Sequence, residues 1–140
     1  MFAALLPLFD ENMSVGAYSL FSQKENLYLD PRLFVTGMYD GAYVIDGLEV
    51  IEKVGMKTLS SDREIFIPVD NVSIFTDIDS QCSVKPSRIV ILIDSSVRPE
   101  DMYIDRLKVL KEQGYGLAMR KLSVSKAESY YPILEMMDYL

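Results

Sequence analysis

The chain has 140 residues and a formal charge of −7, from 14 Lys and Arg against 21 Asp and Glu, a length that suits one domain around one core. Hydrophobic residues make up 49% and charged residues 25%, which excludes disordered, collagen-like and low-complexity classes, while the acidic balance disfavours nucleic acid and anionic membrane partners. With no histidine and a single cysteine, Cys82, the chain alone can build no Ser-His-Asp triad, Cys-His dyad, histidine zinc site or intramolecular disulfide, and a reducing cytoplasm is the compartment expected.

The opening run Phe2 to Phe9 is continuously apolar but lacks a basic leader and a small-residue cleavage pattern. Asp10-Glu11 stops it well short of a membrane span, so it reads as a first strand. Asp10-Glu11-Asn12 is a turn, and Val15 to Phe21 a second strand, which together predict an antiparallel hairpin. Asp30-Pro31 resembles an N-cap with proline at the first helical position, and apolar residues recur from Leu33 through Val54, interrupted by Gly37, Gly41 and Gly47. Ile65 to Val69 is a strand, followed by a short helical or turn segment over Val72 to Ile78. Arg88 to Ile93 is an unbroken β-branched strand without polar alternation, so both of its faces should be covered, as in parallel sheets.

The next helix is opened by Pro99, Glu100 and Asp101, repeats Tyr103, Leu107 and Leu110 along one face, and is closed by Gly114. Tyr115 to Leu122 is a further strand. Ser125 to Met137 is read as a last helix burying Ala127, Tyr130, Tyr131, Leu134 and Met137. The order β-β-α-β-α-β-α-β-α predicts an α/β fold with right-handed crossovers and a mostly parallel sheet behind an N-terminal hairpin.

Ala4-Leu5-Leu6-Pro7-Leu8-Phe9-Asp10 followed by Ala17-Tyr18-Ser19-Leu20-Phe21 resembles the start of an EAL domain, closest to the bacterial proteins that fuse EAL to a modified HD-GYP (HDOD) domain. Phe66-Ile67-Pro68-Val69 stands at that family's third motif and Ile91-Leu92-Ile93-Asp94 at its middle strand. Leu107 through Met119, with Lys111-Glu112-Gln113-Gly114-Tyr115, matches its helix ending in L-K-E-x-G-Y. The resemblance runs in order along nearly the whole chain and implies a partial TIM-type barrel, because the chain ends at Met136 to Leu140, about where the next barrel strand would begin.

Active EAL domains resemble barrels that hydrolyse cyclic di-GMP with two metal ions held by acidic residues and an asparagine, a ligand set that hard divalent cations require. Here Ser19 stands at the glutamate of the second strand, Pro68 at the asparagine, Leu92 at the glutamate of the middle strand and Arg120-Lys121 at the paired aspartates. Leu6 replaces the glutamine of the first strand. Two cations in place of two carboxylates make a divalent site repulsive as well as ligand-poor. No metal, cofactor or catalytic residue is therefore expected. Asp77 and Asp79 read as solvated loop charges, and Glu49 and Glu52 as a solvated helix face.

The leading expectation is a catalytically inactive EAL-like module acting through protein–protein contact in bacterial signal transduction. The alternative is a cyclic di-GMP receptor that binds without hydrolysis, using Arg120 and Lys121 as phosphate partners. A homodimer is also expected, through a sheet edge or through Tyr130, Tyr131, Met136 and Met137, residue types enriched in interface cores.

Overall fold

The computed structural model of the chain describes residues 2–23, 46–61 and 63–140; the helix start expected at Asp30-Pro31, with Gly37 and Gly41, lies outside them. The apolar run at the start forms strand β1 (Phe2–Phe9), which turns back into β2 (Val15–Gln23). Asp10 closes the turn, its Oδ1 accepting the N–H groups of Asn12 and Ser14. This is the local self-bonding that favours Asp in turns. Three further strands follow, β3 (Ile65–Pro68), β4 (Ile89–Ile93) and β5 (Gly116–Met119).

The five strands form one sheet in the order β1-β2-β3-β4-β5. β1 is antiparallel to β2, and every later pairing is parallel. Parallel neighbours need crossover connections. Helices α1 (Asp46–Val54) and α2 (Met56–Ser60) lie between β2 and β3, and α3 (Asp101–Glu112) joins β4 to β5. Between β3 and β4 the expected helical segment contracts to a 3-10 turn over Ser73–Phe75. Two side chains of the later elements hold this loop. Arg106 donates from Nε to the Ile74 carbonyl at 2.7 Å and from a terminal nitrogen to the Thr76 carbonyl at 2.6 Å, and the Tyr115 hydroxyl donates to Asp79 at 2.6 Å.

Strand period places alternate side chains on opposite faces of the sheet. On one face Ile65, Ile67, Ile89, Ile91, Ile93, Leu117 and Met119 pack with Leu48 and Ile51 of α1 and Leu107 and Leu110 of α3. On the other, which we call the inner face, Phe66, Val90, Leu92 and Ala118 cluster with Leu8 and Ala17. All five residues of β4 are buried, as its lack of polar alternation predicts. Tyr103, Leu107 and Leu110 are the buried residues of α3, and Gly114 beyond it takes φ 100°, a conformation that glycine adopts without steric penalty.

Two sequence expectations fail toward the end of the chain. β5 stops at Met119 rather than Leu122, because Lys121 adopts φ 56° and leaves the extended conformation. The last helix is not continuous over Ser125 to Met137. A 3-10 turn covers Val124–Lys126, and a single helical turn, α4 (Tyr131–Leu134), follows with proline in its first turn. Pro132 starts a helix well but cannot donate to a preceding turn, so the helical spacing breaks there. The chain then returns to the sheet: Met119 N–H donates to the Tyr139 carbonyl, Asp138 N–H to the Leu117 carbonyl, and Tyr139 bridges Ala118 in parallel. Among the described residues no helix is long and apolar enough to cross a membrane.

Candidate functional site

Parallel α/β sheets bind ligands where their strands end, because loops and inward side chains converge there. Three of the sequence-predicted positions, Pro68, Leu92 and Arg120, meet at this end of the inner face, and Ser19 lies deeper on it. Pro68, Leu92 and Ala118 stand opposite one another on β3, β4 and β5. Arg120 follows Ala118 by two residues, so it continues on the same face, and its N–H donates to the Ile93 carbonyl. Ser19 lies on β2 opposite Phe66 of β3 and Leu6 of β1. Among the described residues the inner face is thus mainly apolar, with the Ser19 hydroxyl and the Arg120 guanidinium toward its strand ends and the Tyr139 ring packed on Phe66, 5.1 Å between ring centres.

Arg120 reaches from the end of β5 across to β2, where its Cζ lies 5.5 Å from the centre of the Phe21 ring. A guanidinium over an aromatic face is attracted by the ring quadrupole. Its Nε is buried and has no hydrogen-bond partner among the described residues, and the same is true of the hydroxyls of Ser19 and Ser96. Ser19 is only 4% exposed. Lys121 points away into solvent in its left-handed conformation. The two cations therefore separate: Arg120 belongs to the mouth of the inner face and Lys121 to the surface. Leu6 is 50% exposed.

Two carboxylates to which the sequence reading gave no role also stand at this end. Asp70 follows β3, and its Oδ1 accepts the N–H groups of Val72 and Ser73 and the Ser73 hydroxyl. Asp94 follows β4, and its Oδ1 accepts the N–H of Ser96. Both close their own loops, as Asp does in turns. The spacings Asp70-x-x-Ser73 and Asp94-x-Ser96 carry that signal. Among the described residues no three or more Cys, Asp or Glu side chains are grouped so as to hold a metal ion.

Three of the other acidic candidates, Glu49, Glu52 and Asp79, have structural partners. Glu49 pairs with Lys53 at 2.6 Å, one helical turn on. Glu52 accepts the Ser83 N–H at 2.8 Å and the Ser83 hydroxyl at 2.9 Å, and these bonds hold its carboxyl below the ordinary carboxylate value. The two glutamates border a surface depression with Lys53 and Gln81 but do not act on a common point. Asp79 is not purely solvated, since it accepts the Tyr115 hydroxyl; burial, more than this carboxylate, pushes the phenol well above its usual range. Cys82 is buried, and that burial pushes its thiol up, against the thiolate form through which cysteines react.

The four residues expected at an interface do not share one open surface. Tyr130 is 6% exposed and donates its hydroxyl to the Ser95 carbonyl at 2.7 Å, whereas Tyr131 is 61% exposed. Met136 and Met137 are half-buried against the core.

No family model matches the sequence and no curated protein matches it. Solved structures do match in shape. The EAL enzyme Bd1971 in its cAMP- and cyclic-di-GMP-bound form has a TM-score of 0.58 and 11% identity, over 91% of this chain and 43% of that one. Its cAMP-bound form gives a TM-score of 0.56 and 12% identity, over 90% of this chain and 43% of that one. The chain thus spans less than half the length of the chains it matches. At such identities the likeness is one of fold: this chain carries an EAL-like α/β fold with a mostly parallel five-stranded sheet.

Proposed function

We propose that the chain is a non-catalytic EAL-like module of bacterial signal transduction that works through protein contact. The reading rests on one observation. The positions where the resemblance sets metal-binding carboxylates and an asparagine hold Ser19, Pro68, Leu92 and Arg120, and Pro68 and Leu92 stand side by side on the inner face. Pro68 and Leu92 offer no side-chain oxygen, and a guanidinium repels a divalent cation. The kinship with HDOD-linked EAL proteins is carried by motif spacing alone. The cytoplasm, which suits a lone buried thiol, is its proposed compartment.

A second reading has its own support. Arg120 places at the mouth of the inner face a buried Nε that has no hydrogen-bond partner among the described residues, and one matched EAL structure is a cyclic-di-GMP-bound form. A receptor that binds this nucleotide without cleaving it would use Arg120 as its phosphate donor. Calorimetric titration separates the two readings. The protein-contact module shows no saturable heat with Mn²⁺ or with cyclic di-GMP in the micromolar range. Saturable nucleotide binding that Arg120→Ala abolishes, with the fold intact by circular dichroism, establishes the receptor. Saturable Mn²⁺ binding contradicts both.

A further inference from the structure

We propose that the outer edge of β1 is a homodimer interface, at which a second copy of this chain adds its own β1 in antiparallel pairing. This rests on the protein-contact reading above and names its surface and partner. The sheet order ends at β1, and among the described residues nothing pairs with its outer side. The other end of the sheet is different, since Tyr139 bridges β5. The two edges of β1 differ as well: β1 pairs with β2 along its length, and β2 in turn pairs Tyr18 and Ser19 with Ile65 and Phe66 of β3, so one side of β1 is taken and its outer side is the sheet's boundary. Exposed apolar strand edges are templates for another strand, and Leu6 and Phe9 of this edge are 50% and 57% exposed.

The direction of each backbone group follows from one hydrogen bond. Tyr18 N–H donates to the Glu64 carbonyl, so Tyr18 faces β3. In an antiparallel pair, directly opposed residues either exchange both bonds or both turn away. Pro7, opposite Tyr18, therefore turns its nitrogen outward, and by the strand period Leu5 and Ala3 do the same. This explains a proline inside a strand: its missing donor lies on the open edge, where no bond within the chain is lost.

A ladder centred on Leu5 fits this edge. Leu5 exchanges both bonds with Leu5 of the second copy, and Ala3 donates to the Pro7 carbonyl, which needs no donor from proline. One set of residues thereby satisfies both copies, as a two-fold interface requires. Charge agrees with a second copy as the occupant. The chain carries −7 overall, yet residues 2 to 9 hold no charge. Pairing centred on Leu5 carries Asp10 and Glu11 of the two copies to opposite ends, about 34 Å apart at ~3.4 Å per residue, beyond the ~8 Å screening length at physiological salt.

Light scattering of the 140-residue chain should give twice its mass of 15.9 kDa in the micromolar range. Ala3→Pro removes the outward donor of an exposed residue, spares the bonds to β2, and should give a monomer. Val124→Asp, at a position 93% exposed and remote from β1 in sequence, should remain dimeric. Hydrogen exchange provides a readout without substitution: the Ala3 and Leu5 amides should be protected at high protein concentration and lose protection on dilution. A monomeric wild type, a dimer that survives in folded Ala3→Pro, or rapid exchange of both amides in the dimer overturns the proposal. Metal-dependent turnover of cyclic di-GMP by a dimer with protected β1 would defeat the functional reading and leave this interface standing.

Discussion

Ser19 shows what a single residue at the candidate site does. Its hydroxyl is buried without a partner among the described residues, and a buried polar group left unpaired destabilises a fold by about 1–3 kcal/mol. Ser19→Ala should therefore stabilise the chain by about 1 kcal/mol, read as a rise in Tm of roughly 3 °C; a lower Tm would show that the hydroxyl is satisfied in solution. The placement of Ser19, Pro68, Leu92 and Arg120 along one face was legible, because motif order and strand period suffice to set it. The contact of Arg120 with Phe21 was not, since it joins residues 99 apart in sequence by reaching from β5 to β2. The engaged states of Asp70 and Asp94 were written in local spacing and were passed over.

Among the elements, α1 and the loop after Cys82 are coupled through Glu52. Its two bonds from Ser83 lower the carboxyl pKa below the ordinary 4.5. A lowered folded-state pKa gives stability that is present above the unfolded value and is lost as pH falls through the folded one. The wild type should accordingly melt above Glu52→Gln at pH 7, and the difference should shrink as pH drops below about 4.5. An unchanged difference at acid pH would assign the effect to packing rather than to the charge. Element identity was readable wherever periodicity ran long, as in α3 and β4. It was misread from Ser125 to Met137, where Tyr130 and Ile133 are buried while Tyr131 is exposed. Pro132 splits that segment, and helical spacing across it has no physical basis.

At the scale of the whole molecule, a parallel sheet carries its helices on one face and presents apolar side chains on the other, with a hairpin along one edge. Sequence order alone supports this topology, because parallel neighbours require the crossovers that the alternating pattern supplies. The proposed function has an EAL-like frame persist here without metal chemistry. The most direct measurement is hydrolysis of cyclic di-GMP by the purified chain in excess Mg²⁺ or Mn²⁺, with a parallel reaction in chelator. No turnover above the chelator control is expected. Turnover that survives repurification and is abolished by the chelator would contradict the proposed function.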